Sequence, residues 1–497
     1  MKYVSTRDKA RQVDAAQAIV AGLSHEGGLY VPEDFPSFAA VRIESMAGMP
    51  YAARAGEVLS AYLTDYTRQE IDECVAGAYA AARFGDDPAP LKSVGDLHVL
   101  ELWHGPTHAF KDMALQMLPR LMTRAMKKTG VDKQVFILVA TSGDTGKAAL
   151  EGFCDVEGTQ VGVFYPVDGV SPAQKLQMIT QEGNNVHVCA VKGNFDDAQT
   201  GVKRIFGDEQ FARELAEKGY VLSSANSINW GRLVPQVAYY FSAYADLIKQ
   251  GAITMGQEVN FCVPTGNFGN ILAAYYAKRM GLPVGRLLCA SNANNVLFDF
   301  IEQGVYDANR PFHKTTSPSM DILVSSNLER LLFELCGRDD AQVKEWMQAL
   351  KTGGEYRVDD STRAALQESF SAGWADDAKA LDAIRRVHAE HGYTMDPHTA
   401  VAWAVAEQYR EETCDARPMV VVSTASPYKF APDVVRSLLG DSAVAGLDYF
   451  ACSEKLEKLS GVPIPQQIRQ LQSLPVRHKA LCEVDGMETA LLAELQK

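Results

Sequence analysis

Between residues 98 and 302, short apolar runs alternate with longer segments that carry an apolar face of helical period. The pattern predicts seven strands, at residues 98–103, 134–140, 160–165, 185–191, 221–223, 258–263 and 286–290. Each strand is followed by a predicted helix, at residues 110–128, 145–153, 172–181, 196–206, 230–249, 268–280 and 295–302. Strands that alternate with helices indicate βαβ units and a parallel sheet, and several of these strands are apolar throughout, as expected when both faces are covered. The chain is therefore predicted to be an α/β protein, with a kink or an early end at Pro119 inside the first of these helices.

The pattern divides the chain into three parts, residues 1–88, 89–440 and 441–497. The first part is predicted to be mainly helical, and it ends at a polar break that contains Pro88 and Pro90. Within the second part, residues 304–410 are predicted to form a charged, helical insertion, which is followed by a last strand at 419–423. The third part is predicted to be a helical extension.

The composition and the net charge of the chain argue against several classes of function. The 497 residues are 47% hydrophobic and 22% charged, with a net charge of −14, which is typical of a globular protein and unfavourable for general binding to nucleic acid or anionic membranes. A local basic pocket for one small anion remains compatible with this charge. No apolar run approaches 18 residues and the start is polar, so we expect neither a membrane span nor a leader. Nine scattered cysteines without a CxxC pair favour reduced thiols in a cytoplasmic protein, and no His/Cys spacing predicts a metal site.

Parallel sheets bind ligands beyond the carboxyl ends of their strands, so the loops that follow the predicted strands are the candidate sites. The first of these loops, residues 104–112, places Lys111 at the start of a predicted helix. A lysine near the positive end of a helix has a lowered pKa, which suits a nucleophilic or Schiff-base amine. The alternative is an exposed lysine that pairs with its neighbour Asp112.

The second loop, residues 141–147, joins an apolar strand to a helix and reads TSGDTGK. Its glycines, hydroxyls and backbone N–H groups could cradle an anion at the start of the helix, or the loop could be an ordinary tight turn. It is not a phosphate-binding P-loop, because Thr141 stands where that motif needs glycine and Ala148 where it needs serine or threonine.

Two further loops carry polar residues that suit phosphate. Residues 264–270, called here the glycine loop, read PTGNFGN, and two glycines three apart favour a backbone nest for phosphate over a structural turn. Residues 223–232, called here the arginine loop, read SSANSINWGR and offer amides, a hydroxyl and a guanidinium for a second phosphate or a carboxylate. Helix capping by Ser227 or Asn229 is the alternative there. A weaker candidate is the hydroxyl-bearing segment 423–427 after the last strand.

In this order, the motifs FKD, TSGDTG, SANSINWGR, PTGNFGN and VSTASP resemble those of the threonine synthase family, whose members use pyridoxal 5'-phosphate (PLP) and share the tryptophan-synthase-β fold. The N-terminal segments 3–7 and 26–32 agree with that resemblance, which covers about residues 3–435. The chain departs from the family's pattern at Asp8, where glycine is frequent, and at Ser426, where histidine is frequent. The resemblance implies a fold-type II enzyme with parallel-rich sheets flanked by helices in two lobes, a smaller lobe at about residues 130–230 that moves, and a small N-terminal domain.

The resemblance also implies roles for the loop residues. Lys111 would hold PLP as a Schiff base and shuttle protons, and Thr424 would meet the pyridine nitrogen. The cofactor phosphate would be bound by Gly266, Asn267, Phe268, Gly269 and Asn270. Asp144 would lie near the cofactor's 3'-oxygen, and the substrate would be bound by Thr141, Ser142, Gly143, Thr145, Asn226, Ser227, Asn229 and Arg232.

The implied reaction converts O-phospho-L-homoserine and water to L-threonine and phosphate, the last step of threonine biosynthesis. One alternative is a PLP-dependent phospho-lyase that releases 2-oxobutyrate. Others are a β-replacing synthase, which the arginine loop and the N-terminal segment disfavour, and an inactive binding protein, which the intact Lys111 disfavours. A monomer and a homodimer both remain open. His398, in the insertion, could reach the site or serve only packing.

Overall fold

Sixteen strands occur in the part of the chain that the structure describes, a computed structural model covering residues 1–141, 143–167, 170–193 and 195–495. They are β1 Tyr3–Ser5, β2 Asp8–Val13, β3 Tyr30–Pro32, β4 Leu91–Val94, β5 Leu97–Glu101, β6 Gln134–Ala140, β7 Thr159–Pro166, β8 Val186–Lys192, β9 Tyr220–Ser224, β10 Val259–Pro264, β11 Val284–Ser291, β12 Val305–Asp307, β13 Glu355–Arg357, β14 Phe370–Trp374, β15 Met419–Ser423 and β16 Ala480–Glu483.

Helices connect and cover these strands. They are α1 Ala15–Ala21, α2 Ala40–Ser45, α3 Tyr51–Tyr62, α4 Arg68–Ala78, α5 Ala81–Phe84, α6 Asp112–Leu115, α7 Leu118–Thr129, α8 Asp144–Phe153, α9 Pro172–Ile179, α10 Phe195–Gly207, α11 Glu209–Glu217, α12 Trp230–Lys249, α13 Gly269–Arg279, α14 Val296–Gln303, α15 Leu328–Leu335, α16 Asp340–Gly353, α17 Asp360–Ser369, α18 Asp377–His391, α19 Pro397–Thr413, α20 Ala431–Leu439, α21 Tyr449–Ser460, α22 Gln466–Gln470 and α23 Met487–Glu494. None of the helices in the described residues is long and apolar enough to cross a membrane.

The larger sheet has six strands in the order β14-β11-β10-β15-β5-β4. All neighbours are parallel except β4 and β5, which form an antiparallel pair. Both faces are covered, since Val420 and Val422 of β15 pack into one apolar core while Met419 and Val421 pack into another. This two-sided burial is the physical reason that these strands are apolar throughout.

The smaller sheet has five parallel strands in the order β16-β8-β7-β6-β9. Its strand β6 also alternates between two cores, with Ile137 and Val139 on one face and Phe136 and Leu138 on the other. Each sheet is thus the centre of one lobe of an α/β structure. The predicted α/β fold class is confirmed.

The seven predicted strand and helix pairs are all present, with boundaries shifted by a few residues. The first helix is broken, as expected: it divides into α6 and α7, and Pro119 is the second residue of α7. At that position the missing N–H of proline has no partner to lose, so Pro119 begins a helix rather than kinking one.

The N-terminal part is mainly helical, as expected, but each flanking region also contains strands that the pattern did not predict. The N-terminal part contains a three-stranded antiparallel sheet, β2-β1-β3, beside its helices. The insertion contributes β14 to the edge of the larger sheet, and the C-terminal extension contributes β16 to the edge of the smaller one. These strands are only three to six residues long, and all except β1, the middle strand of its sheet, lie at sheet edges where one side is open, so the apolar pattern along each strand is weak.

The carboxyl ends of five strands face the same region between the lobes. The loops that leave β5, β6, β9, β10 and β15 are the five loops singled out in the sequence. The parallel arrangement explains this convergence, because all parallel strands of a sheet end at one edge.

Candidate active site

A cavity of about 190 Å³ lies between the two lobes at the ends of these strands. Of the residues expected to form a site, those that line it are Lys111, Thr141, Thr145, Asn226, Ser227, Arg232, Gly266, Asn267, Phe268, Gly269, Asn270 and Thr424. Loops that are far apart in the chain therefore meet around one space. Ser142 lies outside the described residues.

Lys111 is the buried amine of this cavity, with 8% of its surface exposed. Its Nζ donates to Ser319 Oγ at 3.3 Å, lies 3.6 Å from Asp144 Oδ2, and is 4.8 Å from the centre of the Phe110 ring. The alternative of an exposed lysine paired with Asp112 is therefore wrong. Asp112 instead accepts hydrogen bonds from the backbone N–H and the hydroxyl of Thr107.

Burial, opposed by the charge of Asp144 and aided by the positive charges of Arg232 and Lys429, lowers the pKa of the Lys111 amine to about 8. The direction agrees with the expectation from the sequence, but the cause differs. Lys111 precedes a helix of only four residues, so the loss of water around the amine outweighs any effect of the helix end.

Asp144 lies beneath the Lys111 amine rather than in the cavity lining, and it is almost fully buried. Its Oδ1 lies 2.5 Å from Lys429 Nζ and accepts from Gln174 Nε2 at 2.9 Å. Burial alone would raise the pKa of Asp144, but the charges of Lys429 and Lys111 lower it well below its usual value. An ionised carboxylate thus stands between two buried lysines.

Lys429 was not singled out in the sequence. It follows the hydroxyl-bearing segment 423–427 by two residues, and its Nζ also donates to the carbonyl of Thr107 at 3.1 Å. A lysine among the buried residues Pro427, Tyr428 and Phe430 is the only local signal that could have pointed to it.

The glycine loop is shaped for a close approach of backbone to a ligand. Phe268 adopts a left-handed conformation with φ 63° directly before α13, which turns the chain into the helix start. A Cβ at Gly266 would lie 2.6 Å from the carbonyl oxygen of Ser319, so only glycine fits there. The loop therefore brings backbone to the start of an 11-residue helix, an arrangement that suits phosphate.

In Asn270, the last residue of the glycine loop, one polar atom of the side chain is hydrogen-bonded and the other is not. Its Oδ1 accepts from the hydroxyls of Tyr239 and Tyr240, which fixes the amide. Its Nδ2 is buried and has no hydrogen-bond partner among the described residues. A buried N–H donor of this kind is costly unless a ligand or water accepts from it.

The arginine loop presents similar open groups. Arg232 is 5% exposed, its Nη1 donates to the carbonyl of Ala225 at 2.6 Å, and burial lowers its pKa to about 10. Neither Arg232 Nε nor Asn226 Oδ1 has a hydrogen-bond partner in the described part of the chain. No carboxylate neutralises the guanidinium among the ion pairs of the described residues. The loop is therefore suited to an anionic ligand.

Asn229 does not reach the cavity, contrary to expectation. It is fully buried, its Nδ2 donates to the carbonyls of Ile19 and Ser224, and its Oδ1 accepts from the Gly231 N–H at the start of α12. All of its amide groups serve the helix cap and the contact with α1, which is the capping alternative.

The loop after β6 contributes Thr141 and Thr145 to the cavity, whereas Gly143 is not part of its lining. The hydroxyl of Thr141 accepts from the N–H groups of Gly143 and Gly146 and so shapes the turn. A Cβ at Gly143, whose φ is 135°, would meet the Gln174 side chain at 2.3 Å. Gly143 is therefore required by the packing of the turn.

The Thr424 loop is joined to the Lys111 loop. The N–H of Phe110 donates to the carbonyl of Thr424 at 2.8 Å, and Ala109 and Ala425 form an isolated antiparallel bridge. Thr424 and Lys111 consequently line the same cavity at a fixed separation.

The insertion also reaches the cavity, through Ser319, Met320 and His398. His398 is held by Asp396 at 2.7 Å through Nδ1, and its Nε2 accepts from the N–H of Ser319 at 3.1 Å. His398 thus lines the site and supports the residue that contacts Lys111. Sequence reasoning had no signal for Ser319, which lies in a polar stretch without regular pattern.

The cavity residues fit PLP. The buried amine of Lys111, the glycine loop at a helix start and the partnerless Nδ2 of Asn270 provide an attachment point and phosphate donors. No group of three or more His, Cys, Asp or Glu side chains able to hold a metal ion occurs in residues 1–141, 143–167, 170–193 and 195–495.

Comparisons with known proteins match this chain over nearly its full length. Three family models match in order: the threonine synthase N terminus at residues 2–79, pyridoxal-phosphate dependent enzymes at residues 91–373, and the threonine synthase C-terminal region at residues 399–488. Threonine synthase of Pseudomonas aeruginosa is 38% identical over 486 residues, which cover 96% of this chain and 98% of that protein. The crystal structure of PLP-bound threonine synthase from Brucella melitensis has a TM-score of 0.86 at 38% identity, with 100% of this chain and 99% of that chain covered.

The fold is that of a pyridoxal-phosphate dependent enzyme of fold type II. Within that class, the chain belongs to the threonine synthase family. The resemblance inferred from the ordered motifs is thereby confirmed. Human threonine synthase-like 1 is 41% identical over 455 residues that cover 88% of this chain, which spans 60% of the length of that relative.

Proposed function

We propose that this chain is a threonine synthase that uses PLP to convert O-phospho-L-homoserine and water to L-threonine and phosphate. The observation that carries the proposal is the position of the buried Lys111 amine in a cavity bordered by two loops suited to anions. One loop would bind the cofactor phosphate, and the arginine loop would bind the substrate phosphate. Substrates with a single anionic group would leave the second loop unused.

Lys111 is proposed to move protons during the reaction. When bound, the cofactor supplies an electron sink that acidifies the carbon bearing the substrate's amino group. Because burial lowers the pKa of the Lys111 amine to about 8, its neutral form is accessible near neutral pH, as a general base requires. Ser319 Oγ at 3.3 Å and Asp144 Oδ2 at 3.6 Å orient Nζ, so that it can take and return protons at neighbouring carbons of the substrate.

The arginine loop is proposed to hold the phosphate that leaves. The open Nε of Arg232 is a fixed donor that can stabilise charge on a departing phosphate without reorganisation, and the amide NH₂ of Asn226 would donate beside it. Ser227 has a hydroxyl that accepts from Asn327 Nδ2 at 2.8 Å, so its own proton is free to donate to the same anion. Thr141, Thr145 and the adjoining turn would bind the substrate carboxylate.

The smaller lobe is proposed to close over the bound substrate. Helix α10 of that lobe contributes Gln199, Val202, Lys203 and Phe206 to the lining of the cavity. Movement of this lobe would change how far water can enter, which matters for an enzyme that must admit one water molecule at a defined step. Crystal structures with and without a substrate analogue would test this, and identical lobe positions would contradict it.

Product analysis tests the proposed function. The purified protein is incubated with PLP and O-phospho-L-homoserine, and threonine, phosphate and 2-oxobutyrate are quantified. Lys111→Ala should form no threonine, whereas Lys2→Ala, which removes an exposed amine paired with Asp14, should behave as the unchanged protein. Threonine and phosphate in equal amounts would support the proposal. Release of 2-oxobutyrate instead would show a phospho-lyase with the same fold and cofactor.

A further inference from the structure

A short segment of the insertion, residues 325–330, lies between the glycine loop and the arginine loop and contacts both. It consists of a turn and the first residues of α15. The hydroxyl of Ser325 donates to the carbonyl of Gly266 at 2.7 Å. At Gly269, a Cβ would lie 3.3 Å from the Cβ of Ser227 and 3.4 Å from Asn327 Nδ2, so the two loops and this segment meet without spare space.

Asn327 is the residue that touches both loops. Its side-chain Nδ2 donates to the hydroxyl of Ser227 at 2.8 Å and to the carbonyl of Asn267 at 3.1 Å. Its backbone N–H donates to the same carbonyl of Asn267 at 3.1 Å. The residue is fully buried, so these hydrogen bonds are shielded from water.

Arg330 extends the same connection from the next turn. Its Nη1 donates to the carbonyl of Ser227 at 3.1 Å and to Asn327 Oδ1, and its Nη2 donates to the carbonyl of Ile228 at 2.6 Å. Its Nε donates to the carbonyl of Tyr30 in the N-terminal part at 2.9 Å. A fully buried guanidinium with four fixed acceptors holds the backbone of the arginine loop in place.

The neighbouring Glu329 joins this segment to the N-terminal strand region. Its carboxylate accepts from Arg7 Nε at 2.8 Å and Nη2 at 2.6 Å, and from the hydroxyl of Thr6 at 2.6 Å. The paired geometry of a guanidinium on a carboxylate is directional as well as strong. The N-terminal Thr6 and Arg7 thereby anchor α15 at the end that faces the cavity.

We propose that Asn327 and Arg330 are positioning residues that set the separation of the glycine loop and the arginine loop, and that Glu329 with Thr6 and Arg7 anchors them. The enzyme binds two phosphates at these loops if the proposed function holds, and the distance between the two phosphate sites then defines the length of substrate accepted. The inference rests on the proposed function only for the assignment of one phosphate to each loop. Loss of the connection should weaken both phosphate sites together.

The experiment measures binding at each loop separately. The dissociation constant of PLP from the protein reports on the glycine loop, and binding of inorganic phosphate to the PLP-loaded protein, followed by calorimetry, reports on the arginine loop. Asn327→Ala adds no charge and removes both side-chain donors, together with the acceptor for Arg330. It should weaken PLP and inorganic phosphate binding in parallel, each by about tenfold, as expected for the loss of about one net hydrogen bond at each loop.

Three further variants make the result specific. Glu329→Gln should weaken the binding of both PLP and inorganic phosphate, by a smaller factor than the Asn327 variant. Arg232→Lys should weaken phosphate binding alone. The matched control is Arg310→Lys in the same insertion, because Arg310 pairs with Asp299 at 2.6 Å and touches neither loop. This control should leave both constants unchanged. Thermal unfolding of each variant confirms that the protein is folded during the binding measurements.

The outcomes separate this inference from the proposed function. Parallel weakening in Asn327→Ala supports the inference even if the protein makes no threonine, since neither measurement depends on turnover. Unchanged binding of both PLP and phosphate in folded Asn327→Ala overturns the inference even if threonine is formed. Weaker binding of only one of the two ligands also overturns the inference, because the segment would then support one loop rather than set the separation of two.

Discussion

Replacement of Lys429 by methionine should destabilise the protein, because it leaves the carboxylate of Asp144 buried without its nearest positive partner. Lys429 Nζ and Asp144 Oδ1 are 2.5 Å apart, and both side chains are at most 2% exposed. Removing one partner of such a buried pair costs about 3–5 kcal/mol. Asp144 would keep Gln174 Nε2 at 2.9 Å and Lys111 Nζ at 3.6 Å, so we expect a loss near the lower limit, about 3 kcal/mol.

Urea unfolding of the cofactor-free protein measures this loss, and a double-mutant cycle assigns it to the pair. The double variant Lys429→Met with Asp144→Asn should lose less than the sum of the two single variants, because neither Lys429 nor Asp144 is then left buried as an unpaired charge. Lys111 loses Asp144 in both Asp144→Asn and the double variant, so that loss cancels in the cycle. The control is Lys2→Met, which breaks an ion pair with Asp14 whose side chains are 48% and 43% exposed and should cost about 1 kcal/mol at most. A loss within 1 kcal/mol in Lys429→Met, or additive losses in the cycle, would refute the reasoning.

Three other predictions follow from the geometry of the site. In the cofactor-free protein, burial lowers the pKa of Lys111 from 10.5 to about 8, so between these pH values the unfolded chain binds more protons than the folded one and stability rises with pH. Lys111→Met should remove that rise, and urea unfolding at several pH values would show it; an unaltered pH dependence would contradict it. Gly266→Ala should weaken PLP binding at least tenfold, since its Cβ would lie 2.6 Å from the carbonyl of Ser319, and an absorbance titration with PLP checks this. Asn229→Ala should lower the free energy of unfolding by about 1–2 kcal/mol through the loss of a helix cap. The binding of inorganic phosphate to the PLP-loaded protein should stay unchanged. A loss of phosphate affinity in this variant would instead show that Asn229 belongs to the binding site.

The interior strands could be predicted closely from the chain alone. The bounds 134–140 and 419–423 match β6 and β15, because both faces of these strands are buried and all their positions except the first of β6 and the last of β15 are apolar. Strands β14 and β16 were missed, since each lies at the edge of a sheet and pairs with a strand that is distant in sequence. Short edge strands have little local pattern to distinguish them from the helices beside them.

The sequence by itself determined the class of fold and the loops that could hold anions, because both depend on local order: a strand, then glycines or polar residues, then a helix start. Lys111 was identified as the candidate cofactor lysine from the ordered motifs, since its own position left an exposed lysine open. Only the tertiary structure decided which groups act on that lysine. Ser319 lies 208 residues from Lys111 in the chain, and Asp144 meets both Lys111 and Lys429 across loops of different strands. The same holds for the contacts of Asn327 with Ser227 and Asn267. Contacts of this kind form because parallel strands end at a common edge, and no local pattern in the chain records which loops that edge brings together.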